Sequence, residues 1–413
     1  MKQQDHKKDI LFLCQFFYPE YNSSATLPFD TAKRLHEAGF QVGALCGYPK
    51  EYIQCSNVPV EKTVEGIHIQ RIRYLDMRRN LYLGRLVNYF SFTFHTFLNM
   101  KRCRDYRSLI VYSNPPVLPL VAAMAKKRYG CKLVFVVYDI YPEIAVRTHS
   151  ISKKGIITKL MRHINRRVFA SVDQVVVLSN QMKDFLVQNR NIAPEKVHVI
   201  PNWYADVCEK YNTPDPSHPF TAKFGGHFTV SYLGNMGTLQ DMETILEAAC
   251  LLKDEPRVRF LIAGHGNKFE AIERYIQEND LENVHLYPFL HGEDYHQALA
   301  VSSCSIVSLL PHVAELCCPS KAYGYMMAGN PLLILMEDSD LVRDALDNDF
   351  GIQVPNGKPE ELAQAIRDLM ATPEKQPQRR AAAQRCFREK YTTDICTRQY
   401  VALFEKLLGK PKQ

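Results

Sequence analysis

Short apolar runs, each closed by a turn residue, recur along the chain and set its architecture. Runs at 10–14, 41–46, 109–112, 133–138, 174–178 and 197–200 read as buried strands, and 64–73 alternates as a strand does. Between the first two lies a long loop, 15–26, and an amphipathic helix that ends near Ala38, before Gly39. Residues 81–100 are aromatic-rich and helical in length, with a basic segment behind them, and 151–169 reads as a further helix. A second series follows from 228, with strands at 228–233, 259–263, 284–287, 305–310 and 331–335. Helices at 241–252, 268–278, 293–300, 321–327 and 359–371 alternate with them or follow them, and a last helix is expected over 389–408. Strands alternating with helices predict parallel sheets covered on both faces.

The chain of 413 residues is long for one core, so two domains are expected. The polar, proline-containing stretch 205–226 reads as a linker. This gives a first domain at 1–204, a second at 227–388, and a terminal helical segment, 389–413, returning to the first. The expected class is α/β, with two doubly wound parallel-sheet domains facing a cleft.

The stretch 305–335 concentrates candidate chemistry. A strand stopped by Pro311 and another starting at Pro331 flank the small-residue segment from Pro319 to Gly329. Ser320 suits an N-cap and Gly329 a C-terminal cap. Lys321 would stand in the first helical turn, where backbone N–H groups and an ammonium can converge on an anion. An ordinary strand–loop–helix connection is the plain alternative. The first loop lacks G-x-G-x-x-G, which argues against a dinucleotide site.

Charge divides the chain. Residues 1–200 hold 30 basic and 15 acidic residues, a net of +15, which leaves −8 on the remainder of a chain of net +7. The first half therefore expects an anionic surface or substrate. The twelve cysteines are scattered without CxxC pairs, as in a reduced compartment, and no metal site is expected. A polar N-terminus without a secretory pattern and the lack of a spanning apolar stretch point to the cytoplasm.

An ordered set of motifs resembles glycosyltransferase family 4, the retaining transferases of GT-B fold. In the second half the set is Leu233-Gly234-Asn235-Met236-Gly237, Ala263-Gly264-His265-Gly266, Pro288-Phe289-Leu290, and Pro319-Ser320-Lys321 through Ala328-Gly329-Asn330-Pro331. In the first half, Tyr138 to Glu143 and Val199-Ile200-Pro201-Asn202-Trp203 resemble the bacterial surface-polysaccharide subgroup, which includes aminosugar transferases of capsule and O-antigen clusters.

The resemblance implies a nucleotide-diphosphate sugar as donor, UDP-sugar favoured, and no cofactor. Donor contacts are expected from Gly234, Asn235, Met236, Gly237, Gly264, Gly266, Ser320, Lys321 and Tyr323, with the base read by the loop at Phe289 and Leu290. Without an Asp-x-Asp, the leaving diphosphate would be met by Lys321 and by backbone N–H groups of Gly234 to Gly237 at a helix start. The family's spaced pair of glutamates falls on Leu316 and Gly324, with Glu315 one residue away, so the ribose-binding glutamate is missing from its usual position.

On the acceptor side, Asp139 and Glu143 end a strand facing the cleft and can orient or deprotonate a hydroxyl. Tyr18, Glu20, Ser23 and Ser24 belong to the adjoining loop. In helix 151–169, Ile156, Ile157, Leu160, Ile164 and Val168 form a stripe ringed by Lys153, Lys154, Lys159, Arg162, Arg166 and Arg167, which suits either an anionic membrane surface or an ordinary helix packing its stripe on the sheet. The expected protein is a cytoplasmic, peripherally membrane-associated transferase. It would move a hexosyl or N-acetylaminosugar group to a lipid-linked or oligosaccharide acceptor, with no nucleic-acid partner. An inactive GT-B subunit binding a partner transferase or glycan is the alternative from another class.

Overall fold

The computed structural model describes residues 7–49, 57–75, 77, 82–211 and 213–411, so the N-terminal hexapeptide, Cys55 and the first residue of the expected helix 81–100 lie outside the description. The chain divides into two compact units. The first comprises Met1–Asn202, Leu316–Cys318 and Thr393–Gln413; the second comprises Trp203–Glu315 and Pro319–Thr392.

The first unit is built on strands β1 (Lys8–Cys14), β2 (Val42–Gly47), β3 (Glu61–Val64), β4 (Ile67–Ile72), β5 (Tyr106–Tyr112), β6 (Lys132–Val137), β7 (Gln174–Val177) and β8 (Val197–Val199). They form one sheet in the order β3-β4-β2-β1-β5-β6-β7-β8. Among the described strands only β3 and β4 pair antiparallel. The 64–73 run is thus a hairpin, not one strand: Glu65 and Gly66 both take positive φ, as a two-residue hairpin turn requires.

Chain direction sorts the helices into layers. Ser23–Glu37 carries the chain from β1 to β2, whereas Tyr82–Leu98, Leu118–Tyr129 and Ile156–Ser171 carry it the other way across the sheet. Right-handed crossovers therefore place these three helices, together with Asn180–Arg190 between β7 and β8, in one layer and Ser23–Glu37 on the opposite face. Leu118–Tyr129 packs against both of its layer neighbours. Ile156–Ser171 begins five residues later than expected, after Gly155.

The second unit holds β9 (Phe228–Asn235), β10 (Val258–His265), β11 (Val284–Tyr287), β12 (Cys304–Ser308), β13 (Leu332–Leu335) and β14 (Gly351–Gln353), in the order β11-β10-β9-β12-β13-β14. All pairs are parallel. Tyr232, Phe260, Ile262, Ile306 and Leu333 lie in its core. The stretch 205–226 is not a free linker. Helix Pro219–Phe224 buries Phe220 and Phe224, and the segment clusters with the second unit.

The expected final helix 389–408 is present but starts at Thr393, and a helix that the sequence reading did not anticipate, Gln376–Lys390, precedes it. Gln376–Lys390 belongs to the second unit, and Thr393–Leu408 belongs to the first after a break at 391–392. The terminal helix packs on Ser23–Glu37, Phe404 meets the Phe40 ring, and Arg107 donates to the Leu408 carbonyl at 2.6 Å. Phe404 is fully buried. Phe404→Ala should therefore cost about 3–5 kcal/mol in the unfolding of the first unit. Urea unfolding that shifts by less than about 1 kcal/mol would show that this helix is not part of that core.

Candidate functional site

In a doubly wound sheet the crevice for ligands opens where the strand order reverses. In the second unit that point lies at the carboxyl ends of β9 and β12, because the chain runs from β9 to β10 on one side and returns through β12 on the other. The turn after β9 begins at Gly234, and the loop after β12 leads to helix Lys321–Met327.

Two tyrosines join these pieces. The Tyr325 hydroxyl accepts from the Leu233 N–H at 2.8 Å and donates to the Leu233 carbonyl at 3.0 Å. Four residues earlier, and so on the same helix face, stands Lys321. Its ammonium donates to the Tyr232 hydroxyl and sits 3.7 Å from the ring centre. Tyr232 in turn donates to the Asn235 carbonyl at 2.6 Å. Gly234 has φ +141°, and a Cβ there would stand 3.3 Å from the Lys321 Cε. The turn thus needs glycine both for its backbone and for the lysine beside it.

Burial lowers the Lys321 pKa to about 7. Among the described residues no carboxylate pairs with it. The site holds a partly desolvated cation whose charged form the fold disfavours, which is the condition an anionic ligand relieves.

Several expected donor contacts take other roles. Ser320 is not a side-chain N-cap; its backbone is already helical and its hydroxyl caps nothing. The Met236 N–H is given to the His265 carbonyl at 2.7 Å, and the Gly237 N–H to Gln240 Oε1 at 2.9 Å. The turn is also not a helix start, since the next helix begins at Met242 and is capped by Asp241. The Met236 side chain is in the core. Gly264 and Gly266 let the ends of β9 and β10 touch, because a Cβ at Gly264 would fall 1.8 Å from the Gly234 carbonyl oxygen. Tyr323 is buried against the Tyr391 ring, 4.7 Å away, and so is withdrawn from the donor.

Asn235 is exposed, and Phe289 and Leu290 are half-exposed at the end of β11. The Phe289 ring meets His265 edge-on at 5.1 Å. Glu315 is half-buried and Leu316 fully buried. At Gly324, where the resemblance expects glutamate, a Cβ would come within 2.7 Å of the Tyr295 hydroxyl. The place of that side chain is taken by a tyrosine.

In the first unit the strand order reverses between β1 and β5. Ser113, at the end of β5, accepts from the Tyr138 and Asp139 N–H groups at 3.0 and 3.2 Å, which fixes the end of β6. Asp139 is half-buried, and burial raises its pKa to about 6. No ion pair engages it among the described residues. Glu143 is different: its carboxylate holds Arg190 in a short contact and faces Arg162 at 3.8 Å. That engagement makes Glu143 a brace for its loop, not a free catalytic carboxylate. At the end of β1, Tyr18 stacks on Phe29 with 5.0 Å between ring centres, and Glu20 is buried. Ser23 and Ser24 open helix Ser23–Glu37, with Ser23 exposed.

Comparison with known proteins bears on the family and the fold. Residues 29–203 match the family described as Glycosyl transferase 4-like domain, and residues 227–372 match Glycosyl transferases group 1. The chain belongs to glycosyltransferase family 4 and has the GT-B fold. WbjE of Pseudomonas aeruginosa, described as a probable glycosyltransferase, is 28% identical over 262 residues, 62% of this chain and 64% of WbjE. WcaI of Escherichia coli K12, a candidate colanic acid biosynthesis glycosyl transferase, is 25% identical with the same coverage. The chain thus matches somewhat under two thirds of the length of either relative. The crystal structure of Anabaena Alr3699/HepE with UDP and glucose superimposes with a TM-score of 0.73 at 15% identity, covering 97% of this chain and all of that one.

Tyr232, Tyr325 and Tyr295 are the site residues that sequence reasoning missed. The i, i+4 spacing of Lys321 and Tyr325 was the one signal available for the second.

The lysine's environment makes a signed prediction. Its folded-state pKa lies below its ordinary value, so the unfolded chain binds more protons from about pH 7 to 10.5 and stability rises with pH through that window. Lys321→Met should make the ligand-free protein more stable than wild type at pH 6, with the advantage shrinking by pH 9. Thermal unfolding across that range checks it. A variant less stable than wild type at pH 6 would mean that the ammonium is not strained in the free protein.

Proposed function

We propose that this chain transfers a hexosyl or N-acetylaminosugar group from a nucleotide-diphosphate sugar, UDP-sugar favoured, to a lipid-linked or oligosaccharide acceptor in surface or capsular polysaccharide synthesis. The observation that carries the reading is Lys321, a partly desolvated ammonium with no carboxylate partner among the described residues, at the reversal point of the second unit. In the reaction the anomeric carbon–oxygen bond to the diphosphate breaks and a bond to the acceptor oxygen forms. Negative charge grows on the departing diphosphate, and Lys321 is placed to meet it without a metal. The anomeric configuration is retained, as in family 4. Gly234 lets the donor approach the turn closely, and the loop at Phe289 and Leu290 takes the base.

Asp139 serves the acceptor hydroxyl. A carboxylate whose pKa is raised to about 6 is ionised at neutral pH yet basic enough to take a proton in the transition state. WcaI's assignment to colanic acid synthesis and the UDP and glucose in the HepE structure support the polysaccharide and UDP assignments. The acceptor is placed on the cytoplasmic face of the membrane, with the enzyme peripheral to it. Among the described residues no helix is long and apolar enough to cross a membrane.

Calorimetric titration with UDP separates this reading from an inactive subunit, which would not bind the nucleotide. Lys321→Ala should weaken UDP by about 1.5–3 kcal/mol, the range for a hydrogen bond to a charged group, and should reduce turnover by more than that. Unchanged UDP affinity would move the diphosphate elsewhere. Asp139→Asn should lower turnover by roughly 10²–10⁴-fold with UDP affinity intact. Because the ionised carboxylate is the working form, wild-type turnover should fall as pH drops below about 6. A flat profile from pH 5 to 7 would return Asp139 to a structural part.

A further inference from the structure

Helices Tyr82–Leu98, Leu118–Tyr129 and Ile156–Ser171 leave large apolar side chains in solvent. On Tyr82–Leu98 the exposed residues are Phe90 at 59%, Phe94 at 58%, Phe97 at 39% and Leu98 at 57%. Their spacing makes a stripe roughly 100° wide, opposite a buried face of Asn88, Phe92 and Thr96. The preceding strand segment is fastened alongside. Leu75 donates its N–H to Ser91 Oγ at 2.9 Å, and Asn88 exchanges two 2.9 Å hydrogen bonds with the Met77 backbone. Leu75 and Met77 are themselves more than half exposed. Helix Ile156–Ser171, on the other side of Leu118–Tyr129, exposes Ile156 at 85%, Ile157 at 59% and Leu160 at 57%.

An apolar face this large is unusual on a soluble unit and needs an occupant. The charge around it selects one. Segments 118–129 and 153–171 contain no acidic residue, and Asp105 is the only one within 82–105. Some of their cations are already engaged: Arg102 pairs with Glu61 at 3.2 Å, Lys126 with Asp173 at 2.5 Å, and Arg162 faces Glu143. Lys127, Lys153, Lys154, Lys159, Arg166 and Arg167 are exposed and have no ion pair among the described residues. Exposed Phe and Ile side chains rimmed by unpaired cations match an anionic bilayer, whose acyl boundary takes the former and whose headgroups take the latter.

We infer that the outer surface of these three helices is a bilayer-docking face for anionic lipid, with Phe90 and Phe94 of helix Tyr82–Leu98 as its insertion point and Ile156, Ile157 and Leu160 as a second contact. It deepens the membrane placement proposed above by naming the surface that makes it. The opposite layer, Ser23–Glu37 with Thr393–Leu408, is covered by its own packing.

The test is cosedimentation of the full chain with vesicles of phosphatidylcholine alone or with 30% phosphatidylglycerol, beside Phe90→Ser/Phe94→Ser and Lys153→Glu/Lys159→Glu. Wild type should bind the anionic vesicles and be released as salt rises, because exposed charges are screened over about 8–10 Å. The aromatic double variant should bind at least about tenfold more weakly even at low salt, since two apolar rings no longer leave water for the acyl boundary, with unchanged thermal unfolding. The charge variant should lose the preference for phosphatidylglycerol. Equal binding to both vesicle types, no binding, or an aromatic variant that binds like wild type overturns the inference. So does a wild-type dimer in gel filtration that the aromatic variant dissolves, which would assign the face to a second copy of the chain. Turnover on a water-soluble acceptor should not change in either variant. Loss of vesicle binding with turnover retained therefore tests the face, whereas absence of turnover in wild type would count against the transferase reading and leave the vesicle result standing.

Discussion

A lysine ammonium lying on a tyrosine ring organises the second unit's carboxyl-end surface. Lys321 cannot rest there by its own preference, because burial disfavours its charge and the ring offers a weak electrostatic return. It is held there by Tyr325, one helical turn away, whose hydroxyl closes two hydrogen bonds on the Leu233 peptide. Gly234 completes the arrangement by presenting no side chain where the lysine passes. An anion brought beside the ammonium would offset the cost of burying its charge.

The same physical rule acts with opposite sign in the first unit. Burial raises the Asp139 carboxyl to about 6 and lowers the Lys321 amine to about 7, so each group is brought toward neutrality at working pH. A carboxylate and an amine shifted in these directions are suited to proton traffic and to charge that appears only in the transition state. Each stands at the carboxyl end of a strand next to its unit's reversal point, where the topology leaves an opening whatever the sequence. What the sequence adds is the side chain and its partners: Ser113 under Asp139, and Tyr232 under Lys321.

Much of this was legible from residue order alone. The strands were visible because a parallel sheet buried on both faces demands uninterrupted apolar runs, and Lys321 was visible because a charge after Pro-Ser at a helix start is hard to explain as packing. Less was legible where local pattern and tertiary pairing part company. The alternation of 64–73 is shared by a single strand and a hairpin, and only Glu65-Gly66 tells them apart. Helix Gln376–Lys390 went unread, and the final helix starts at Thr393 instead of 389, where the chain passes from the second unit to the first. The glycines after β9 and β10 looked like a phosphate cradle, yet Gly264 and Gly266 serve the close approach of two strand ends. Glu143 looked catalytic until its two arginines, distant in sequence, were in place.

The most direct test follows the Lys321 side chain itself. Isotope-labelled lysine NMR, with the signal assigned by its loss in Lys321→Met, gives its titration in the free protein and with saturating UDP. The free amine should titrate near 7, well below every exposed lysine, and UDP should raise it by at least about one unit as the diphosphate supplies the missing counter-charge. A free-state titration in the ordinary lysine range, or one that UDP leaves unmoved, would contradict the account.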